Sequence, residues 1–190
     1  MQHYHYILHK PYGYLSQFVS YAPKNHKQKF LGDLHDFAEG TMSIGRLDEK
    51  SEGLLLLTTD GKVSNEITSS KFEKEYYVQL DGIVTTEALN ELTKGVEISI
   101  NGKKYQTLPA QVKKIEDPGF AERSRRIRGD HHGPTSWASI IIREGKYRQV
   151  RKMCAAIGFP VLRLVRVRIG DIKLGDMKVG EVKVMSSLLD

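Results

Sequence analysis

Four consecutive leucines, Leu54 to Leu57, constrain the fold of this chain more than any other feature. They are bounded by Gly53 and Gly61, so the apolar run is short. Such a run between glycines is typical of a strand buried on both faces rather than of a helix. The polar stretch just before it, which holds Asp48, is therefore expected on a loop anchored to a rigid strand. Loops supported in this way often carry functional groups.

The composition excludes several classes of protein and favours a polyanionic partner. A chain of 190 residues can bury a real core, so we expect one compact domain. The net charge is +6 and the isoelectric point is near 9.3, which favours a polyanionic partner without identifying it. The single cysteine excludes an intramolecular disulfide and fits a reducing compartment. No apolar stretch approaches the roughly 18 residues of a membrane span, and no signal peptide is evident, so we predict a cytoplasmic protein.

Local signals predict strands and helices around the leucine run. Alternation in Met1–His9 indicates a first strand, and Asp60 is suited to cap a helix that follows the leucines. Residues 18–42 are polar and rich in lysine, and we expect a mobile connection there with a short helix near Leu31–Phe37. Further signals predict a strand over residues 74–82, a helix from Thr85 to Leu92 and a hairpin turn at Asn101-Gly102.

Positive charge is concentrated in two parts of the chain. Residues 116–134 contain few large apolar side chains, and we expect a flexible loop that orders on a phosphate backbone. Its arginines are Arg123, Arg125, Arg126 and Arg128. Between Arg143 and Arg168, eight Lys and Arg residues stand against one acid, a local charge of +7. Since the whole chain carries +6, the remainder is near −1 and the basic charge is clustered.

The second basic part includes a predicted helix. Its apolar positions, at i, i+3, i+4 and i+7, are Val150, Met153, Cys154 and Ile157, and Gly158 is suited to end it. This spacing predicts that Cys154 is a core residue and not a nucleophile. The basic residues Arg148, Arg151 and Lys152 fall away from the apolar stripe. On the strand predicted to follow, Arg166 and Arg168 point away from the face formed by Val161, Val165, Val167 and Ile169.

Four motifs occur in a recognisable order. Lys10-Pro11-Tyr12-Gly13 comes first, then residues 45–61 (GRLDEKSEGLLLLTTDG), then Lys74-Glu75-Tyr76-Tyr77-Val78, then residues 144–153 (EGKYRQVRKM). Together they resemble the motifs of the pseudouridine synthases of the RsuA/RluE group. The resemblance covers nearly the whole chain. Tyr147 departs from it, because a smaller polar residue is expected at that position.

The resemblance implies a fold and a reaction. The implied fold is α/β of the α+β type, with a mixed, mainly antiparallel sheet, flanking helices and a central basic cleft. The implied reaction converts a uridine within RNA to pseudouridine: the N1–C1′ bond breaks, the uracil turns, and C5 bonds to C1′. No cofactor is implied. The histidines at 3, 5, 131 and 132 lack metal-ligand spacing, so we predict no metal site.

The resemblance also assigns roles to residues. Asp48 matches the catalytic aspartate, which acts either as a nucleophile or by removing the C2′ proton. Tyr76 matches the tyrosine that stacks on the target base, with Tyr77 as the alternative, and Arg151 matches the basic partner of the aspartate. Arg46 resembles the arginine that enters the space left by the flipped base. The other predicted RNA-binding residues are Lys10, Lys74, Arg123, Arg125, Arg126, Arg128, Lys146, Arg148, Lys152, Arg166 and Arg168.

The position of the first motif points to one branch of the family. Because that motif begins at Lys10, the resemblance is to the RluE-like branch, which lacks an S4 domain. We expect residues 1–190 to form one two-lobed catalytic domain without an N-terminal S4 domain. The expected partner is 23S ribosomal RNA, free or in an assembling large subunit, and the expected state is a monomer.

Other functional classes are disfavoured by particular residues. The main alternative is a ribosome-assembly protein that binds RNA without catalysis, which the basic segments alone would support. The set of Asp48, Tyr76 and Arg151 favours the enzyme, because pure RNA binding has no use for that carboxylate. A glycosidase would need a second matched carboxylate, and a metal nuclease would need an acidic cluster. Neither is evident in the sequence.

Overall fold

The structure is a computed structural model that describes residues 2–19, 28–69, 71–128 and 132–189. The chain divides into two units, of which unit 1 holds residues 1–72 and 166–190 and unit 2 holds Glu73–Val165. Some residues of the predicted connection and loop lie outside the described ranges, namely Ser20, Lys24, Lys27, Gly129, Asp130 and His131.

Unit 1 is built on the leucine run. Strand β3 (Glu52–Thr58) contains all four leucines, and each has an exposed fraction of 0%. Strand β1 (His5–Lys10) pairs antiparallel with β3, and β2 (Met42–Ile44) also pairs antiparallel with it. The predicted strand, buried on both faces, is therefore confirmed. Each fully buried leucine contributes about 1.5–3 kcal/mol through removal of apolar surface from water, which makes β3 a firm anchor for the loop before it.

The other elements of unit 1 pack around this strand. They are α1 (Gly61–Thr68), the end of β9 (Val161–Ile169), β10 (Ile172–Lys173) and β11 (Val182–Met185). β11 pairs antiparallel with β1, and β10 pairs antiparallel with β9. As predicted, Asp60 caps α1, because its Oδ1 accepts hydrogen bonds from the backbone N–H groups of Lys62 and Val63 at 2.8 and 3.4 Å.

The short helix predicted near Leu31–Phe37 is present as a 3-10 helix of three residues, Leu31–Asp33. The Asp33 carboxylate accepts a hydrogen bond from the backbone N–H of Phe30 at 2.8 Å, which caps the start of this helix. The mobility of the connection stays a prediction, but its described part is attached to the rest of unit 1. The backbone N–H of Leu15 donates to Lys29 O at 2.9 Å, so this part is fastened to the segment after the first motif.

Unit 2 is organised by an antiparallel pair of long strands. In β4 (Lys74–Asp81) and β8 (Thr135–Ile142), Tyr76 lies opposite Ile140, and β7 (Gln111–Ile115) pairs antiparallel with β8. The remaining elements are α2 (Thr86–Lys94), β5 (Glu97–Ile100), β6 (Lys103–Gln106), α3 (Gln149–Ala156) and the start of β9. The expectation of a mainly antiparallel α/β fold is confirmed.

The short-range predictions in unit 2 are also confirmed. Thr85 caps α2 by accepting a hydrogen bond from the backbone N–H of Ala88 at 3.2 Å, and β5 and β6 form the predicted hairpin around Asn101-Gly102. After α2 the chain turns at Gly95, which has φ +84°. A Cβ there would lie 2.2 Å from the Thr107 carbonyl oxygen, so only glycine fits. Within the described ranges, none of the helices combines the length and apolarity needed to cross a membrane.

Candidate active site

The loop that carries Asp48 joins two buried strands of unit 1. It begins after Ile44, which is 2% exposed at the end of β2, and leads into β3. Within the loop, Leu47 is buried, and the backbone N–H of Ser51 donates to Asp48 O at 3.0 Å. Asp48 itself is half-buried. The carboxylate therefore sits on a loop whose two ends and centre are each held by packing or by hydrogen bonds.

A serine that follows the first motif holds the same loop from the side. The Ser16 hydroxyl donates to Leu47 O at 2.8 Å and accepts from the backbone N–H of Leu47 at 3.0 Å. Ser16 is 6% exposed, so these bonds are shielded from water. The backbone N–H of Gly13 adds a hydrogen bond to Glu49 O at 2.8 Å. Asp48 thus lies between two residues that are both fastened to the segment after Lys10.

Lys10 completes this attachment from inside the protein. Its side chain has an exposed fraction of 0%, and its Nζ donates to Pro11 O at 2.9 Å, to Tyr14 O at 2.6 Å and to Glu49 O at 3.5 Å. An ammonium group has three N–H donors, and all three are used by carbonyl oxygens. This burial does not support the predicted contact of Lys10 with RNA, and the side chain instead ties the first motif to the Asp48 loop.

The electrostatic surroundings of Lys10 are strongly perturbed. Burial lowers the pKa of Lys10 to about 7, because the charged form loses its hydration. The nearby carboxylates of Glu52, Glu49 and Asp48 oppose this change, whereas Arg166 adds to it. Lys10 is therefore near half-protonation at neutral pH and is electrostatically coupled to the candidate catalytic carboxylate.

Two other residues predicted to contact RNA are buried as well. Arg166 is 5% exposed, and its Nε donates to Leu54 O in β3 at 2.8 Å. Lys74 is 8% exposed, and its Nζ donates to Arg143 O at 3.1 Å. Their burial does not support the predicted RNA contacts, because each side chain is bonded to a backbone carbonyl. Alternation along a strand indicates which face a residue occupies, but not whether that face is covered.

The remaining unit 1 candidates lie nearer the surface. Arg46 is exposed on the Asp48 loop, two positions before the carboxylate. Arg168 is half-buried, and its guanidinium donates to Gly170 O at 2.9 Å. Both positions are compatible with RNA contact.

In unit 2, the two adjacent tyrosines of β4 occupy opposite faces. Tyr76 is 9% exposed and shares its face with the fully buried Val78 and Leu80. Tyr77 is half-buried, with its ring centroid 6.2 Å from that of Phe120. Burial, with a smaller contribution from the Glu75 carboxylate, raises the pKa of Tyr77. Tyr77 thus belongs to an aromatic cluster and Tyr76 to a packed face, and the choice of Tyr76 as the stacking residue stays a prediction.

Helix α3 carries the third candidate, Arg151. Val150, Met153 and Cys154 form its buried face, as predicted, while Arg151 is half-buried and its guanidinium donates to Val161 O at 3.3 Å. Burial raises the pKa of the Cys154 thiol to about 12, with Arg151 opposing the change. Since the thiolate is the nucleophile, Cys154 is unreactive at neutral pH, and its prediction as a core residue is confirmed.

A network around Glu144 holds the start of α3, and sequence patterns did not assign it a role. Glu144 is 8% exposed and accepts hydrogen bonds from the Tyr105 hydroxyl, from the backbone N–H of Leu108 at 2.9 Å and from Gln149 Nε2 at 2.7 Å. Burial favours the neutral acid, but these hydrogen bonds outweigh it and lower the pKa of Glu144. Its one visible signal in the sequence is an acid inside a strongly basic segment.

The predicted arginine loop borders a cleft of about 900 Å³ within unit 2. Its four arginines do not share one role. Arg128 forms an ion pair with Asp81 at 2.8 Å, and Arg123 donates through Nε to Arg125 O at 2.7 Å. Arg125 and Arg126 are exposed. Arg123 and Arg128 therefore hold the described part of the loop in place, and Arg125 and Arg126 are the pair presented to solvent.

A second group of basic side chains surrounds the turn before α3. Lys146 is exposed, and Arg148 and Lys152 are half-buried. Tyr147 stands among them and is exposed, with the Nζ of Lys152 lying 5.1 Å from the centroid of its ring. Among the described residues, the structure contains no group of three or more His, Cys, Asp and Glu side chains that could hold a metal ion. Unit 1 thus offers a firmly held carboxylate, and unit 2 offers cationic and aromatic side chains.

Comparisons with known proteins place this chemistry in a family. Residues 3–156 match the family model described as RNA pseudouridylate synthase. Among curated proteins, the chain is 45% identical over 166 residues to ribosomal large subunit pseudouridine synthase E of Vibrio vulnificus (strain CMCP6), covering 86% of this chain and 67% of the relative. The chain is also 40% identical over 170 residues to ribosomal large subunit pseudouridine synthase E of Xanthomonas axonopodis pv. citri (strain 306), covering 87% of this chain and 85% of the relative.

A solved structure agrees with these matches. A protein described as pseudouridylate synthase superimposes with a TM-score of 0.75 at 30% identity, covering 97% of this chain and 70% of that one. The chain spans about two thirds of the length of the Vibrio relative and most of the length of the Xanthomonas one. The resemblance carried by the four motifs is confirmed, and the chain belongs to the RNA pseudouridylate synthase family.

Proposed function

We propose that this chain isomerises a uridine in large-subunit (23S) ribosomal RNA to pseudouridine. The names of the Vibrio and Xanthomonas relatives support the large ribosomal subunit as the source of the substrate. The net charge of +6 fits a polyanionic substrate. The reaction breaks the N1–C1′ bond and forms a C5–C1′ bond within one nucleotide, so that no redox equivalent is consumed.

The attachment of the Asp48 loop carries this proposal. Ser16 bonds both backbone groups of Leu47, and Lys10 reaches the carbonyl of Glu49. A carboxylate that adds to C1′ or removes the C2′ proton must approach a single atom closely, and catalysis by positioning depends on such preorganisation. In a protein that only binds RNA, an aspartate near the phosphate backbone would have no need for a loop held in this way.

The remaining roles are those that the family resemblance implies, and the chemistry of the residues suits them. Arg151 would pair with Asp48 and favour its anionic form, because an adjacent positive charge stabilises a carboxylate. Tyr76 would stack on the target base after it leaves the helix, and Arg46 would enter the space that the base vacates. The proposed phosphate contacts are Arg125, Arg126, Lys146, Arg148, Lys152 and Arg168.

The decisive experiment replaces the carboxylate alone. Asp48→Asn keeps the side-chain volume and removes the anion, so we expect release of tritium from C5-labelled uridine in 23S RNA to fall by at least about 100-fold. The affinity for RNA should stay nearly unchanged, since phosphate contacts supply most of it. Asp176→Asn, at an exposed position of the same unit, is the matched control.

Two outcomes would count against the proposal in different ways. Near-normal tritium release by Asp48→Asn would show that this carboxylate is not the catalytic one. Strong RNA binding by the wild-type protein without any tritium release would favour the RNA-binding alternative. Pseudouridine mapping of ribosomal RNA from a strain lacking the gene would then identify the modified uridine.

The proposal extends to the state and location of the protein. A ribosomal RNA substrate places the enzyme in the cytoplasm, and we propose that it acts there as a monomer. Light scattering of the purified protein during gel filtration, at several concentrations, tests the oligomeric state.

A further inference from the structure

Tyr147 is displayed on a closed turn between β8 and α3. Its side chain is 66% exposed, whereas Trp137 in the preceding strand is 7% exposed. The backbone N–H of Gln149 donates to Lys146 O at 3.1 Å, and the backbone N–H of Lys146 donates to Gln149 Oε1 at 3.1 Å. Arg148 adopts a left-handed conformation with φ +52°, which turns the chain into the helix. The tyrosine therefore projects from a turn of defined shape.

The charges around this ring are cationic. The Nζ of Lys152 lies 5.1 Å from the Tyr147 ring centroid, within the range of a cation–π contact. Glu144, the only acid between Arg143 and Arg168, is 8% exposed. Its carboxylate accepts hydrogen bonds from the Tyr105 hydroxyl, the backbone N–H of Leu108 and the Gln149 amide. The field outside the turn is consequently that of basic side chains, which favours a polyanionic partner over a protein surface.

We propose that Tyr147 is a stacking platform for an unpaired base of the RNA, distinct from the target uridine. Lys146, Arg148 and Lys152 would contact the phosphates on either side of that base. The proposal rests on the proposed function in that RNA is taken as the substrate. It assigns Tyr147 no part in the chemistry.

The chemistry of single-stranded RNA recognition supports this assignment. Such RNA is bound by aromatic rings on which bases stack and by cations that follow the backbone, and every base offers a π-face. Lys152 occupies one face of the Tyr147 ring, and the exposure of 66% leaves room for a base on the other. A tyrosine ring also loses little conformational entropy when a base stacks on it, because only two side-chain torsions define its position.

The exposure of Tyr147 makes its removal a clean test. Unlike Tyr76, it is not part of a packed face, so its replacement should leave folding unchanged. Tyr4, which is 43% exposed and lies in unit 1, provides a matched control for loss of a surface tyrosine. Each variant would be made in the Asp48→Asn background, so that binding is measured without turnover.

The probe is a short unstructured oligoribonucleotide with 2-aminopurine at successive positions, whose fluorescence falls when the base stacks on a ring. Tyr147→Ala should raise Kd by about 5-fold or more and abolish the quenching at one position. Tyr147→Phe should retain both the affinity and the quenching. Tyr147→Leu should behave like Tyr147→Ala, because it keeps apolar area but lacks a π-face. Tyr4→Ala should match the parent.

Salt dependence separates stacking from charge. Tyr147→Ala should shift log K by the same amount at every salt concentration, whereas Lys152→Met should reduce the magnitude of the slope of log K against log[salt] by about 0.7. Equal binding by Tyr147→Ala and Tyr147→Phe, or full binding by Tyr147→Leu, would overturn the platform while leaving the proposed function intact. A wild-type protein that binds no RNA at low salt would overturn both.

Discussion

At the scale of single residues, Lys10 shows how a buried charge can serve a surface loop. Its three N–H donors face three carbonyl oxygens, one of which belongs to Glu49 beside the candidate catalytic aspartate. The neutral amine has only two N–H donors and a lone pair. The lone pair would face one of these carbonyl oxygens, and that hydrogen bond would be lost. The longest of the three contacts, 3.5 Å to Glu49 O, is the one that this change would weaken first.

The pKa of Lys10 therefore predicts opposite pH dependences for stability and turnover. Because it is about 7 in the folded protein and 10.5 for an ordinary lysine, the unfolded chain binds more protons between these limits. The contribution of Lys10 to the free energy of unfolding should rise with pH over that window, by up to about 1.4 kcal/mol per pH unit. Turnover should instead fall as the pH rises through about 7, where the folded protein loses the Lys10 proton and the hold on Glu49 weakens.

Comparison of two lysine variants isolates this effect from other titrations. Urea unfolding and single-turnover rates would be measured between pH 6 and 9.5 for the wild type, Lys10→Met and the exposed-site control Lys62→Met. Lys10→Met should lack the pH-dependent increment in stability and should turn over slowly at every pH. A Lys10→Met profile parallel to that of the wild type would refute the assignment.

At the scale of elements, the Glu144 network fixes where α3 begins. Its carboxylate joins the β5–β6 hairpin, through Tyr105, to Gln149 at the first position of the helix. Arg151 lies two residues further along, so an error in the helix start would displace the guanidinium assigned to Asp48. A polar network that loses one member lowers the stability of the fold, because a buried donor left without an acceptor has lost its hydration and gained no hydrogen bond.

Removal of Glu144 should thus affect both stability and catalysis. Glu144→Ala is expected to lower the free energy of unfolding by about 1–3 kcal/mol, since it leaves the buried Gln149 amide without its acceptor. Tyr105→Phe should cost less, because Glu144 keeps its other two hydrogen bonds, and both should slow single turnover through Arg151. Glu97→Gln, in an exposed ion pair with Lys104, is the control and should change little. Unchanged turnover in Glu144→Ala would show that the network serves folding alone.

At the scale of the whole molecule, positive charge is divided between structural and exposed residues. Lys10, Lys74 and Arg166 are buried and bonded to carbonyls. Arg123 and Arg128 hold the described part of the arginine loop, so a count of basic residues overstates the surface available to RNA. Arg125 and Arg126 are the loop residues from which a phosphate contact is expected.

The salt dependence of RNA binding should reveal this division. Neutralising Arg125 and Arg126 together should reduce the magnitude of the slope of log K against log[salt] by about 0.7–0.9 per lost phosphate contact and leave turnover at saturating RNA nearly unchanged. Arg151→Met should have little effect on the slope and a large effect on turnover. Lys94→Met, at an exposed position outside the arginine loop and outside the basic group around Tyr147, serves as the control. A fall in single-turnover rate at saturation for the Arg125 and Arg126 variant would contradict the division.

Much of the fold was determined by local sequence. The buried strand of leucines, the Asp60 and Thr85 caps and the apolar face of α3 each depend on residues within a few positions of one another, and the structure agrees with all of them. The family could also be identified from the sequence, because its motifs are short and follow one another in a recognisable order. Identifying them requires no knowledge of the packing. The helix predicted near Leu31 is present only as a short 3-10 helix, at whose start the Asp33 carboxylate accepts a hydrogen bond from the backbone N–H of Phe30.

Tertiary structure alone decided which charged side chains are available to RNA and which contacts hold the Asp48 loop. Ser16 reaches Leu47 across 31 residues, Arg166 reaches Leu54 across 112, and Arg128 reaches Asp81 across 47. The cost of burying a charge depends on the partners that surround it, and these come from distant parts of the chain. A lysine in a motif therefore has the same local pattern whether it contacts RNA or, like Lys10, holds the loop that carries Asp48.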